Sequence, residues 1–417
     1  MLRFSIDGKR IYIHIFSLKI SLRKFFLLLM KFVRFLDLIL PKYEKKMAFC
    51  MSDDYLSASS KFYEYMINNH KDDYKYSVIT DKKINYEGFS TSYHLYSLKG
   101  IYELLTSKYV VFAQRLQFFD VLNSPRHIYI NLWHGMPIKK LALTRREENS
   151  KSAIRQLSLL GKHALFFATS DLFKQLMISC FLCDYKRVFV TGLARNDYIG
   201  DHTNDEKIKK LFDIEKYSKV VFYVPTYKMA EDNLKSQVEC EFNNIFYLDD
   251  YNKNSFIKTI EDNNILFIMK PHPRDEFFYK KNPDVLPDTA NFKIVYNEDF
   301  YNNGIENYEL FKFVDVMVSD YSSAPIDYLI LNRPVIYLNS LAEGYSAKRG
   351  MILEENYEIL MPGVKVVTYK DFEQQLLDNL YKDSYKQERE RLLPLIHKYM
   401  DFNSCKRIYK VIESLKK

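Results

Sequence analysis

Between residues 314 and 338 the chain reads V-D-V-M-V-S-D-Y-S-S-A-P-I-D-Y-L-I-L-N-R-P-V-I-Y-L. A β-branched run at 314–318 gives way to a serine-rich turn. An apolar segment opened by Pro325 follows, then a stop at Arg333-Pro334 and a second apolar run at 335–338. Short apolar runs without alternation belong to strands buried on both faces. Serine ahead of proline starts a helix, because proline at the first helical position gives up an amide that has no partner anyway. Strand, turn, helix and strand in that order predict a parallel α/β sheet covered by helices. The turn is also a candidate anion site. The first helical amides lack partners, Ser322 and Ser323 add hydroxyls beside them, and Ser319 and Asp320 close the strand before it. Taken alone, the same serines read more simply as a helix cap.

The pattern recurs along the chain. Apolar runs at 47–52, 76–80, 109–112, 127–132, 164–169 and 188–190, and again at 220–224, 265–269 and 292–296, alternate with helical stretches. One such stretch is 55–69, where Phe62, Tyr63, Tyr65 and Met66 recur at helical spacing. A chain of 417 residues with 47% hydrophobic content can bury two cores. We place one α/β domain at 47–200, a second at 201–370, and a charged helical tail at 371–417 that packs back across both. Only 11 glycines are present, which argues against a glycine-rich nucleotide loop as the main binding device.

Charge isolates the N-terminus. Residues 1–46 hold 11 Lys or Arg against 3 Asp or Glu, a net +8 that equals the total for the whole chain, so the body is neutral. This excludes a general nucleic-acid binder and points one end of the molecule at an anionic surface. Residues 3–20 suggest a short strand or hairpin. Residues 24–40 read as a helix, with Lys24, Lys31, Arg34 and Asp37 on one narrow side and apolar residues elsewhere. The segment is too short and too charged to span a bilayer and lacks a cleavage pattern. It fits a helix lying in the membrane plane, or one packed on the protein's own core. Residues 41–46 read as a linker. Five scattered cysteines (Cys50, Cys180, Cys183, Cys240, Cys405) form no zinc pattern and read as reduced, buried thiols.

Several strand ends carry chemistry. After the 127–132 run comes W-H-G-M-P-I-K-K, residues 133–140. His134 stands at the carboxyl edge of a buried strand, where ligands bind in open α/β sheets, and an imidazole there suits a general base. A histidine hydrogen-bonded to a loop carbonyl is the plain alternative. Gly135 and Pro137 follow, and Lys139 and Lys140 can meet phosphate or water. G-L-A-R-N-D at 192–197 supplies Arg195 and Asn196, V-P-T-Y at 224–227 supplies Thr226, and K-P-H-P-R at 270–274 crowds Lys270 and His272 at one strand end.

In this order, these turns resemble the CDP-glycerol glycerophosphotransferase family of teichoic-acid primases, polymerases and related capsule enzymes. D-D-Y-L-S-A-S-S-K-F-Y-E-Y-M at 53–66 is also similar to that family's first strand-to-helix segment, and the match spans roughly 47–400. The resemblance implies a GT-B architecture, two Rossmann-like domains facing a cleft with the nucleotide mainly on the C-terminal one. It implies transfer of glycerol phosphate or ribitol phosphate from a CDP-alcohol to a lipid-linked or polymer acceptor at the inner membrane face, releasing CMP. Neither a metal nor another cofactor is implied, and no D-x-D pair at a strand end asks for Mg²⁺. An oligomer stays open. By the resemblance, His134 is the base, and His272 binds the pyrophosphate or protonates the leaving phosphate. Ser322 and Ser323 hold phosphates, and Gly135, Lys139, Arg195, Asn196, Thr226, Lys270, Ser319 and Asp320 complete the substrate contacts. Two positions depart from the family pattern: Met136 stands where threonine is usual, and Ala194 where proline is usual. A GT-B glycosyltransferase using a nucleotide sugar such as CMP-sialic acid, or a non-catalytic membrane scaffold, remain alternatives.

Overall fold

The computed structural model describes residues 2–7, 10–15, 18–51, 56–80, 91–113, 124–145, 151–226, 244–339 and 350–415. Ser52, the start of the 53–66 segment, Tyr227, Cys240 and the last two lysines lie outside these residues.

Among the described residues the strands form three sheets. Leu2–Asp7 (β1), Arg10–Ile15 (β2) and Leu18–Ser21 (β3) make an antiparallel meander at the N-terminus. The first lobe uses Tyr43–Met51 (β4), Lys75–Thr80 (β5), Ser92–His94 (β6), Ser107–Phe112 (β7), Ile128–Asn131 (β8), Ala164–Ala168 (β9) and Val188–Val190 (β10). All are parallel, in the order β10-β9-β8-β7-β4-β5-β6. The second lobe uses Lys219–Val224 (β11), Ile265–Met269 (β12), Phe292–Ile294 (β13), Val316–Ser319 (β14), Val335–Leu338 (β15) and Val364–Val366 (β16). These too are all parallel, in the order β13-β12-β11-β14-β15-β16. Both sheets are doubly wound, each reversing direction once, between β4 and β7 and between β11 and β14. Such a reversal splays two strand-to-helix loops apart and opens a crevice at the carboxyl edge.

The apolar runs are strands because both faces are covered. In β12 every residue from Ile265 to Met269 is fully buried, and β9 and β14 are buried throughout. Each large side chain taken out of water contributes about 1.5–3 kcal/mol, which outweighs the weak intrinsic preference for strand. Two expectations need correction. The 41–46 linker is partly strand, since β4 begins at Tyr43, where alternating charge hides an exposed strand start. β6 and β16 are not legible as apolar runs, because Ser92 and His94 of β6 are exposed and polar and Lys365 interrupts β16.

The N-terminal helix, Leu22–Ile39, does not present Asp37 on an open polar side as expected. Asp37 is fully buried and accepts from His127 Nε2 at 2.7 Å, Lys42 Nζ at 3.0 Å and the Ser124 amide at 3.2 Å. Val33, Leu36 and Leu40 pack beside it on the first lobe, while Leu28, Leu29, Phe32, Phe35, Leu38 and Ile39 are exposed. No helix among the described residues is long and apolar enough to cross a membrane.

The end of the chain joins the lobes. The helix Tyr369–Tyr381 packs Phe372 and Leu376 into the second lobe, and Ser404–Ser414 packs Cys405, Ile408 and Ile412 into the first. Between them His397 Nε2 meets the Ile326 carbonyl of the second lobe at 2.5 Å, and the Lys398 amide donates to the Thr169 carbonyl of the first at 2.9 Å.

Candidate active site

His134 sits on a turn whose shape is set residue by residue. Trp133 adopts a left-handed φ of 56°, and its amide donates to Asn131 Oδ1 at 3.0 Å. Its ring lies 4.9 Å from Phe181 in an edge contact and 4.3 Å from the His134 imidazole. A bulky residue in that conformation is strained and persists only because packing holds it. His134 Nδ1 then lies 3.2 Å from the Ala113 carbonyl. A carbonyl only accepts, so the proton resides on Nδ1 and the lone pair on Nε2. Burial and then the Arg195 guanidinium push the imidazole down to about 4, against the pull of the Ala113 carbonyl, so it is neutral at physiological pH.

Gly135 follows with φ 137°, and a methyl group placed on it would come 2.5 Å from Arg195 Nη2 and 2.6 Å from Ser323 Oγ. Only glycine fits there. Ser323 belongs to the second lobe, so the histidine turn of one lobe abuts the serine turn of the other. The loop continues across the cleft. The Lys140 amide donates to the Gly350 carbonyl at 3.0 Å, the Ile352 amide to the Ile138 carbonyl at 2.8 Å, and Lys140 Nζ pairs with Glu354. Lys140 is thereby engaged, and the charge of Lys139 opposes protonation of His272. Met136, which stands where threonine is usual in the family, is fully buried in the core.

On the second lobe the β11–β14 reversal holds the serine turn. Ser319 Oγ donates to the Val224 carbonyl at 2.6 Å, and Asp320 accepts from Thr226 through its amide at 3.0 Å and its hydroxyl at 2.7 Å. Ser319, Asp320 and Thr226 therefore tie the two loops together. Ser322 and Ser323 remain partly exposed at the cleft, with Ser322 Oγ accepting from the Ala324 amide at 3.3 Å. The α-helix behind them is only Ala324–Tyr328 before it tightens to a 3₁₀ turn at Leu329–Leu331, so hydroxyls and local amides matter more here than a macrodipole.

His272 ends the K-P-H-P-R turn after β12, and its Nδ1 accepts from the Arg274 amide at 3.2 Å. That fixes the opposite tautomer to His134, with the proton on Nε2. Burial and then Lys270, Arg274 and Lys139 push it down to about 4, with Asp320 opposing. Lys270 is buried, and burial pushes its ammonium down to about 8 although Glu276 and Glu306 favour its charge. Cations crowded this closely favour an incoming polyanion.

Arg195 and Asn196 occupy a 3₁₀ turn, Ala194–Tyr198, and both are buried. Arg195 reaches across the lobe boundary, with Nη1 donating to the His134 carbonyl and Nη2 paired with Asp327. The Asn196 side-chain amide is buried without a hydrogen-bond partner among the described residues. Asp197, the end of the same motif, accepts from the Ser404 and Cys405 amides at 2.9 and 2.7 Å and so caps the last helix.

Sequence reasoning missed Asn131, Asp327, Tyr308 and Glu306. Asn131 shapes the histidine turn. Burial, then Glu64 and Glu309, push Glu306 up to about 8 at the rim of an interlobe cavity of about 830 Å³ lined by Lys61, Glu64, Tyr198, Asp201 and Glu309 among others. Lys61, Glu64 and Asp327 lie within stretches already noted, but nothing local marks their roles, and only the fold brings these residues together. Cys180 and Cys183 are buried, and burial pushes both thiols up, to about 11 and 12.

Residues 32–414 match the family described as CDP-Glycerol:Poly(glycerophosphate) glycerophosphotransferase. The match therefore begins within the N-terminal helix, earlier than the 47–400 span expected. The chain is 25% identical over 400 residues to a teichoic acid poly(glycerol phosphate) polymerase of Bacillus spizizenii, covering 90% of this chain and 93% of that protein. It is 22% identical over 330 residues to a teichoic acid glycerol-phosphate primase of Bacillus subtilis, covering 77% of each. Among solved structures, a variant of the wall teichoic acid polymerase TagF superposes with a TM-score of 0.71 at 20% identity, covering 94% of this chain and 96% of that one. That likeness carries the two-lobed GT-B-like fold.

Proposed function

From a chain that belongs to the CDP-glycerol:poly(glycerophosphate) glycerophosphotransferase family, we propose a reaction in which His134 and His272 act from opposite lobes on one diphosphate. The protein is a transferase of the teichoic-acid type, moving a polyol phosphate from a CDP-alcohol to an acceptor hydroxyl. The observation that carries the reading of the site is the contact of the two turns, with Gly135 of the histidine turn closed in by Ser323 of the serine turn.

In this reading the acceptor hydroxyl attacks the β-phosphorus in line and gives its proton to the lone pair on His134 Nε2. The bond from that phosphorus to the bridging oxygen breaks, and CMP leaves. His272 Nε2–H donates to the bridging or leaving phosphate oxygen, and its pKa rises as the diphosphate arrives beside it. Ser322, Ser323, Lys139 and Lys270 offset the phosphate charge. Positioning and charge stabilisation supply most of the rate, as in other phosphoryl transfers. The donor is CDP-glycerol or CDP-ribitol and the acceptor is lipid-linked or polymeric.

We place the enzyme peripherally at the cytoplasmic membrane face. Support comes from the basic N-terminus and the exposed row Leu28, Leu29, Phe32, Phe35, Leu38 and Ile39 on a helix pinned to the first lobe by Asp37. Incubation with CDP-glycerol, CDP-ribitol, CMP-sialic acid and UDP-sugars, each with a lipid-linked acceptor, tests the assignment. Product masses should show added polyol phosphate and released CMP with a CDP-alcohol alone. Turnover of a nucleotide sugar in its place would make the protein a glycosyltransferase.

A further inference from the structure

The His134 turn is held from the far lobe as well as from beneath. Arg195 makes a fork. One nitrogen, Nη1, donates to the backbone carbonyl of His134, and the other, Nη2, pairs with Asp327 Oδ2. Asp327 lies on the helix that the paired serines open and is completely buried, while Arg195 is 7% exposed. Tyr308, also buried, donates its hydroxyl to the same Asp327 oxygen at 2.9 Å and lays its ring 4.8 Å from the Arg195 guanidinium. Three side chains from three segments thus form one relay, Tyr308 and Asp327 holding Arg195 and Arg195 alone reaching the backbone oxygen next to the proposed base. A guanidinium can serve two acceptors in a fixed plane, which a lysine ammonium does not do.

We infer that Asp327 and Tyr308 are positioning residues for the transfer reaction: through Arg195 they hold the His134 turn in register with the serine turn on their own lobe. The inference rests on the reading of His134 as the base. It gives Asp327 a role in the second lobe without contact to substrate. It also makes the lobes' correct approach a condition for the base to be aligned, because the Arg195 fork is complete only when both lobes meet. Misplacement of a reacting group by about 1 Å costs on the order of 100-fold in rate, so small losses of register are measurable.

The test compares Asp327→Asn, Arg195→Lys and Tyr308→Phe with the unmodified full chain and with His134→Ala. Initial rates of CMP release from CDP-glycerol with a lipid-linked glycerol-phosphate acceptor give kcat and donor KM, and thermal melting gives Tm. Positioning predicts that kcat falls about 10- to 100-fold in Asp327→Asn and Arg195→Lys, and about 2- to 5-fold in Tyr308→Phe, with donor KM moving less than about threefold. A lower Tm with kcat intact would make the cluster a lobe-docking ion pair only and overturn the inference. A raised donor KM with kcat intact would place Asp327 on the donor and overturn it as well. Should Asp327→Asn fail to fold, Tyr308→Phe, which keeps the ring and the carboxylate, decides the matter by the same split. Full activity in His134→Ala would instead remove the base assignment beneath the inference. An inactive His134→Ala beside fully active cluster variants sinks the inference alone.

Discussion

His134 and His272 carry their protons on opposite nitrogens, one because its Nδ1 faces a carbonyl and the other because its Nδ1 faces an amide. In the proposed reaction one neutral imidazole is thereby the base at Nε2, becoming cationic as it takes the acceptor's proton, and the other is a donor at Nε2. Replacing either by alanine should cost about 10²- to 10⁴-fold in transfer rate with the fold retained, read as kcat beside an unchanged circular dichroism spectrum. Full activity in a folded variant would free that residue from the chemistry. The pH dependence follows from their environment. Both imidazoles titrate near 4 in the folded protein against an ordinary 6.5, so between those values the unfolded chain binds more protons. Stability owed to the neutral rings is complete above 6.5 and is lost as pH falls toward 4. For the free enzyme, kcat/KM should hold its plateau down through pH 6 and fall only on approaching 4. An acid limb centred at 6.5 would mean solvated imidazoles and would contradict the buried arrangement.

Turns, more than strands or helices, decide what this molecule does. Gly135→Ala puts a methyl group onto Arg195 and Ser323 at a backbone angle that disfavours any side chain. It should destabilise by about 1–3 kcal/mol and lower transfer at least tenfold, checked by denaturant titration beside initial rates. Wild-type stability and rate would show that the two turns do not meet in solution. The elements bearing these turns were legible because a fully covered strand is apolar from end to end: β8, β12 and β14 stand out as runs, and their following turns as motifs. Ser322, Ser323, His134 and His272 are found this way. Asn131, Tyr308, Asp327 and Glu306 are not, since a side chain's job there depends on which segment folds opposite it. Asp37 misleads for the same reason. Its spacing with Lys31 and Arg34 suggests a solvent face, whereas His127 and Lys42 supply partners that only the tertiary structure brings, and these turn the carboxylate inward. Likewise Lys140, adjacent to Lys139 in sequence, is taken up by Glu354.

At the scale of the whole molecule, two doubly wound sheets face each other across a cleft, and the C-terminal segment bridges them through His397 and Lys398. The exposed apolar row of the N-terminal helix lies on the first lobe, and in sequence it falls within the 46 residues that carry the chain's net +8. Phe32→Ser with Phe35→Ser should abolish co-sedimentation with vesicles containing anionic lipid while transfer to a detergent-soluble acceptor persists. Undiminished pelleting of the double variant would move membrane attachment elsewhere. The central claim is that protein groups from both lobes, with no divalent ion, align an acceptor against the β-phosphorus. The most direct measurement is CMP release from CDP-glycerol in EDTA, with and without acceptor, by the wild type and by His134→Ala. The account predicts acceptor-dependent release that survives chelation and falls at least 100-fold in the variant, with donor affinity within about threefold. A strict requirement for a divalent cation, or equal rates in the two proteins, would contradict it.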